Sequence, residues 1–168
     1  IRDVRKILAK LPEDRQSLLF SATMPAEVVK LSHDMLYEPE RIDIAPKTIA
    51  VEAIRQAVHF VNAKEKQSLL RELLGDKDMK RVIVFTRTKH RANRVADNLV
   101  KAGVEAAAIH GNKSQAARQK ALDAFRNGRV RVLVATDIAA RGIDVKDITH
   151  VINFELPNEA ESYVHRIG

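Results

Sequence analysis

Short apolar runs alternate with stretches of helical spacing through most of this chain. The runs Ala57–Val61, Val82–Phe85, Ala106–Ile109, Val130–Ala135 and His150–Phe154 are nearly continuous, as strands are when both sheet faces are covered. Between them, residues 64–74, 88–102, 114–127 and 158–166 carry apolar positions at helical spacing. Gly75, Gly103 and Gly128 follow three of these helices, where C-terminal caps favour glycine. The alternation predicts an α/β domain: a parallel sheet, right-handed crossovers and helices on both faces. Ligands of such sheets bind beyond the carboxyl ends of the strands.

The first fifty residues follow a different pattern. Val4, Ile7, Leu8 and Leu11 predict a helix that Pro12 ends. Ser17–Ser21 predicts a short buried strand. Pro25 opens a helix carrying Val28, Val29, Leu31 and Met35. Residues 38–50, with Pro39 and Pro46, predict a linker with room for one short strand. The expected organisation is therefore 1–37, a linker over 38–50, and a domain over 51–168.

The 168 residues are 45% hydrophobic and 30% charged, which is a globular composition. Lys and Arg number 29 against 22 Asp and Glu, a net charge of +7. That excess points to an anionic partner such as nucleic acid, although the charges are dispersed rather than run together. The absence of Cys excludes a disulfide framework and a thiolate metal site, and no metal site is expected. No apolar run approaches the roughly 20 residues of a membrane span, and no apolar region follows Ile1–Lys6 as in a signal peptide. A cytoplasmic location is expected. The start reads like the middle of a helix and Tyr163–Gly168 stops without a helix-ending signal, which predicts a piece of a larger protein.

The strand ends carry the candidate chemistry. Thr86, Arg87, Thr88 and Lys89 follow one strand; His110, Gly111 and Asn112 the next. Thr136, Asp137 and Arg141-Gly142-Ile143-Asp144 follow a third, and Glu155-Leu156-Pro157 a fourth. Hydroxyls, guanidinium groups and a glycine that admits close backbone approach suit a phosphate chain. Taken singly, each has a plainer reading. Thr136 and Ser114 suit helix capping, Arg118 and Arg126 suit ordinary helix-surface charges, and His110 suits a packed histidine.

Ala135-Thr136-Asp137-Ile138-Ala139-Ala140-Arg141-Gly142-Ile143-Asp144 resembles motif V of superfamily 2 helicases. His165-Arg166-Ile167-Gly168 resembles the first half of motif VI, and Ser21-Ala22-Thr23 resembles motif III. Val84-Phe85-Thr86-Arg87-Thr88 is similar to motif IV, and Gln115 with Arg118 to the Q-x-x-R of motif IVa. The five stand in family order across essentially the whole chain. His-Arg-Ile-Gly points to the DEAD-box branch. The wording of 85–90 and 108–115 is similar to the bacterial RhlE group.

The resemblance implies a RecA-like domain, the second of two that close on ATP and RNA. Residues 1–37 would be the tail of the first such domain. Thr86, Arg87, Gly111, Gln115, Arg118 and Thr136 would face RNA, and Gly142 and Asp144 the nucleotide. Ser21, Thr23, Arg141, His165 and Arg166 would couple the two domains. ATP and Mg²⁺ would be bound mainly by the first domain, since the chain has no G-x-x-x-x-G-K-[ST] and no D-E-A-D. Two further motif VI arginines would lie past Gly168. The implied activity is RNA-stimulated ATP hydrolysis with separation of short RNA duplexes by the parent protein, and none by this chain alone. The strand 17–21, cut from its sheet, predicts that residues 1–37 are disordered, fold back or self-associate. Two alternatives are a RecA-like module that only binds RNA or protein, and a DNA helicase of the same superfamily; His165–Gly168 and Ser21–Thr23 weigh against the latter.

Overall fold

In the first of two units, Ile1–Ile49, two helices lie on either side of an extended stretch. Helix α1, Arg2–Leu8, ends before Pro12, and α2, Ala26–Met35, starts from an extended Pro25. Arg5 reaches across to Asp34 at 2.7 Å and ties the two helices together. The computed structural model describes residues 1–21, 24–44, 54–140, 143 and 145–167, with the backbone only of residues 138, 140 and 161. The strand expected over Ser17–Ser21 is not formed; Leu18 and Phe20 are exposed and no sheet partner for it lies among the described residues. A strand is defined by its neighbours, and an apolar run cannot supply them.

The second unit, Ala50–Gly168, is built on a parallel sheet. Helix α3 spans Lys66–Leu73 and leads to β1, Val82–Phe85. Then come α4 (Lys89–Lys101), β2 (Ala106–Ile109), α5 (Gln115–Arg126), β3 (Val132–Ala135), the short α6 (Asp137–Ala140), β4 (His150–Asn153) and α7 (Ala160–Ile167). The strand order is β2-β3-β1-β4, with every pairing parallel. Residues alternate between faces along a strand. Val82, Val84, Val132 and Val134 join Leu70, Leu74, Val95 and Leu99 on the α3–α4 side. Ile83, Phe85, Leu133 and Ala135 join Ile109, Phe125 and Ala139 on the α5–α6 side. Burying each such branched side chain is worth roughly 1.5–3 kcal/mol. This explains why the central runs are continuous rather than alternating.

Helix ends agree with the glycine pattern at two of three sites. Gly103 and Gly128 adopt φ of 81° and 72°. At the first, the Gly103 amide bonds Val100 O and the Val104 amide bonds Leu99 O, a Schellman closure. Gly75 does not adopt the left-handed conformation. The carbonyls after α3 are instead taken by Arg131, which donates to Leu74 O at 2.6 Å, Asp76 O at 3.0 Å and Met79 O at 2.7 Å.

The strand expected over Ala57–Val61 is also absent. Val58 is 80% and Phe60 98% exposed, and the segment joins no ladder. Its composition suits a strand, but edge pairing depends on a partner edge that composition does not reveal. β3 starts at Val132 rather than Val130, because the Val130 amide closes the end of α5 on Ala124 O. Helix α6 was not anticipated; four residues are too few to show a period.

Candidate nucleic-acid interface at the strand ends

The carboxyl ends of β1, β3 and β4 are joined by one side chain. Arg166 on α7 donates from Nε to Asp137 Oδ1 at 2.5 Å and from Nη2 to Asp137 Oδ2 at 2.9 Å. Its Nη1 donates to Asn153 Oδ1 at 2.7 Å and to Glu155 O at 2.8 Å. The guanidinium also lies over the Phe85 ring, 4.8 Å from its centroid. The planar fork matches a carboxylate bidentately, which a lysine could not do. Three strand ends and two helices are therefore held in one geometry. His165, its neighbour on α7, is exposed. Asp137 and Glu155 stood among the polar strand-end residues read from sequence but were given no role, and Asn153, the last residue of β4, was not singled out.

The residues expected to face RNA are spread along the same rim. Thr86 is fully buried; its amide bonds Ala135 O at 2.9 Å and its hydroxyl donates to Thr88 O at 3.3 Å. Thr88 caps α4 by accepting from the Arg91 amide. Arg87 is exposed, and its amide donates to Glu155 Oε2 at 2.9 Å. Gly111 lies in the turn after β2, where an added Cβ would meet nothing within 4 Å. Packing thus does not demand a glycine there, which leaves its backbone open to a ligand. Ser114 caps α5 through the Ala117 amide, as the plainer reading holds. Gln115 and Arg118 follow on the first turn of α5, joined by Arg118 Nη1 to Gln115 Oε1 at 3.3 Å. Arg118 Nε is buried without a hydrogen-bond partner among the described residues. A buried guanidinium N–H left unpaired is costly, and an acceptor brought by a ligand would relieve it. Thr136 is half-buried at the start of α6 and its carbonyl accepts from the Ala139 amide. Ser21 is exposed in the first unit; Thr23, Arg141, Gly142 and Asp144 lie outside the described residues.

His110 sits between these elements. Its Nε2 meets Asn93 Oδ1 at 2.9 Å, and Nδ1 is buried without a partner among the described residues. Burial lowers its pKa from the ordinary 6.5, and the nearby charges of Lys113, Lys89 and His90 lower it further. His110 is therefore a packed neutral imidazole within a positive rim.

Residues 65–168 match the family model of the helicase conserved C-terminal domain. The chain is 44% identical over its full length to the DEAD-box ATP-dependent RNA helicase CshA of Bacillus subtilis, covering 34% of that protein. It is 39% identical to the ATP-dependent RNA helicase CshA of Limosilactobacillus reuteri, covering 34% of it. The chain thus spans about a third of the length of these curated relatives. Among solved structures, it resembles the E. coli DEAD-box protein SrmB bound to the regulator of ribonuclease activity A, with 39% identity and a TM-score of 0.62 over 68% of this chain and 70% of that one. It also resembles S. cerevisiae Dbp5 bound to RNA and ADP BeF3, with 32% identity and a TM-score of 0.81 over 98% of this chain and 43% of that one. The parallel sheet with helices on both faces is a RecA-like α/β fold, and the chain belongs to the DEAD-box helicase family through its helicase C-terminal domain.

Proposed function

We propose that this chain supplies the second half of the motor of an ATP-dependent RNA helicase, and that its strand-end rim grips the backbone of single-stranded RNA. The observation that carries the reading is the first turn of α5, where Arg118, joined to Gln115, keeps a buried Nε with no partner among the described residues; the open backbone of Gly111 in the turn after β2 adds to it. Phosphate oxygens and 2′-hydroxyls are the acceptors such a site suits, and the 2′-hydroxyl distinguishes RNA from DNA. Thr136, after β3, and Arg87, after β1, continue the rim from there along the sheet.

Gly142 and Asp144 would face the nucleotide, and Ser21, Thr23, Arg141 and His165 would lie at the contact made when two domains close. Arg166 would support that contact by holding α7 against the strand ends. Residues 1–37 would complete the first domain and 38–50 the linker; apart from it, the exposed Leu18 and Phe20 favour self-association. ATP is the substrate and Mg²⁺ its companion, and the residues that hold them lie mainly outside this sequence. With no phosphate loop, the chain alone neither hydrolyses ATP nor separates strands.

Steady-state ATP hydrolysis tests this. The chain and a version extended at both ends into a complete motor would each be assayed alone, with single-stranded RNA, and with DNA of the same sequence. Hydrolysis only by the extended version, stimulated by RNA and not DNA, is expected. Absence of RNA stimulation there would leave a RecA-like binding module as the better reading.

A further inference from the structure

A polar pair interrupts the apolar seam between α4 and the edge strand β2. Ala106 and Ala108 of β2 pack on the cluster that holds Ala92, Val95, Ala96 and Leu99 of α4. Strand alternation carries His110 onto the same face, and there it is only 3% exposed. Its partner is the half-buried Asn93 of α4, whose Oδ1 lies 2.9 Å from His110 Nε2. Burying these two groups costs free energy that two apolar side chains would not, and their hydrogen bond recovers only part of it. What a hydrogen bond adds over an apolar contact is direction. Direction matters for the backbone that follows. β2 stands at the edge of the sheet and pairs with β3 alone among the described strands. Past Ile109 the chain turns at once: the Lys113 amide donates to His110 O at 3.0 Å and closes a tight turn around Gly111 and Asn112. Ser114 then caps α5, and Gln115 and Arg118 follow on its first turn. The His110 ring is thus the point at which α4 takes hold of this turn.

We propose, building on the RNA-facing reading of this rim, that Asn93 is a positioning residue: through His110 it fixes the turn that presents the Gly111 backbone and leads into α5. Asn93 acts on the turn and not on RNA. The latch belongs to the neutral imidazole. The imidazolium carries a proton on Nδ1, which is buried with no partner among the described residues. Lys89 and His90 at the start of α4 and Lys113 in the turn set further positive charge around the ring. The latch is therefore intact above pH 6.5, and it loosens as pH falls through the lowered pKa of His110.

The test joins NMR of the ¹⁵N-labelled chain to fluorescence anisotropy of decauridylate on the motor extended at both ends. Asn93→Leu removes the acceptor at similar volume. Asn93→Asp keeps size and acceptor and adds a charge. At pH 8, Asn93→Leu should shift the Gly111 amide, speed its hydrogen exchange and weaken RNA binding about fivefold, the equivalent of one neutral hydrogen bond. Asn93→Asp should keep Gly111 exchange slow and raise the His110 pKa, read from the imidazole resonances, because a carboxylate now faces the ring. A His110 pKa unmoved by Asn93→Asp, or a Gly111 amide unaltered in a folded Asn93→Leu, would overturn the latch. Unchanged RNA affinity in Asn93→Leu, where Arg118→Ala weakens it, would overturn its part in the grip. If Arg118→Ala leaves affinity unaltered too, the RNA reading of the rim fails, while a displaced Gly111 amide in Asn93→Leu still supports Asn93 as the residue that positions the turn.

Discussion

Replacing Arg166 with Ala should destabilise the second unit by about 3 kcal/mol. Removing one member of a buried ion pair costs roughly 3–5 kcal/mol when its partner is left dry. Arg166 retains only 2% of its side-chain exposure, whereas Asp137 keeps 37%, so water can recover part of the Asp137 charge. That discount is offset by the loss of donors to Asn153 Oδ1 and Glu155 O, each worth about 1 kcal/mol. Contact with the Phe85 ring adds a smaller share. Arg166→Lys keeps the charge but not the bidentate fork, and should lose about half as much. The measurement is urea unfolding followed by far-UV circular dichroism, with the slope against denaturant unchanged. A fall of about 3 kcal/mol corresponds to roughly 10 °C or more in Tm for a domain of this size. Asp137→Asn and the double variant complete a cycle. A loss below about 0.5 kcal/mol for Arg166→Ala, the range of an ordinary surface change, would refute the argument that this guanidinium holds the strand ends together.

The other predictions address the rim and its supports. Arg118→Ala should weaken binding of single-stranded RNA by the extended motor about tenfold and lower the slope of log affinity against log salt by about 1, as read by fluorescence anisotropy. Gly111→Ala should leave stability within about 0.5 kcal/mol, because an added Cβ meets nothing, while reducing RNA affinity; a purely structural glycine would reverse that pattern. Gly103→Ala, at φ 81°, should cost about 1 kcal/mol in the same urea assay although its surroundings are equally open. For His110, the folded pKa lies below the unfolded value of about 6.5. The unfolded chain therefore binds the extra proton first. The contribution of His110 to stability is fully present above pH 6.5 and is lost as pH falls through the folded pKa. Urea midpoints from pH 8 to 5 should fall less steeply in His110→Gln, and equal slopes would contradict the burial of a neutral imidazole.

Four strands could be read from the sequence because each is an apolar run covered on both faces, so Val82–Phe85 and its neighbours need no context to declare themselves. Ala57–Val61 and Ser17–Ser21 have much the same composition and form no strand here, because pairing is a property of the edge they would meet. The helix caps at Ser114 and Gly103 were legible as local chemistry, whereas Arg131 closes α3 from 57 residues away in sequence and gives no local signal. The same distinction divides the site. Gln115 and Arg118 are one helical turn apart, so their spacing alone places them side by side. Arg166 meets Asp137, 29 residues distant, only because α7 packs back over the ends of β1, β3 and β4. Spacing cannot distinguish an arginine aimed outward at a partner from one turned inward on its own fold. That difference follows from desolvation: a guanidinium enters the interior only where enough acceptors surround it, and Asp137, Asn153 and the Glu155 carbonyl supply them. Arg118 has the opposite balance, with a buried Nε that meets no acceptor among the described residues. The two arginines thus differ in their surroundings, one closing on acceptors of its own fold and the other meeting only Gln115 among the described residues.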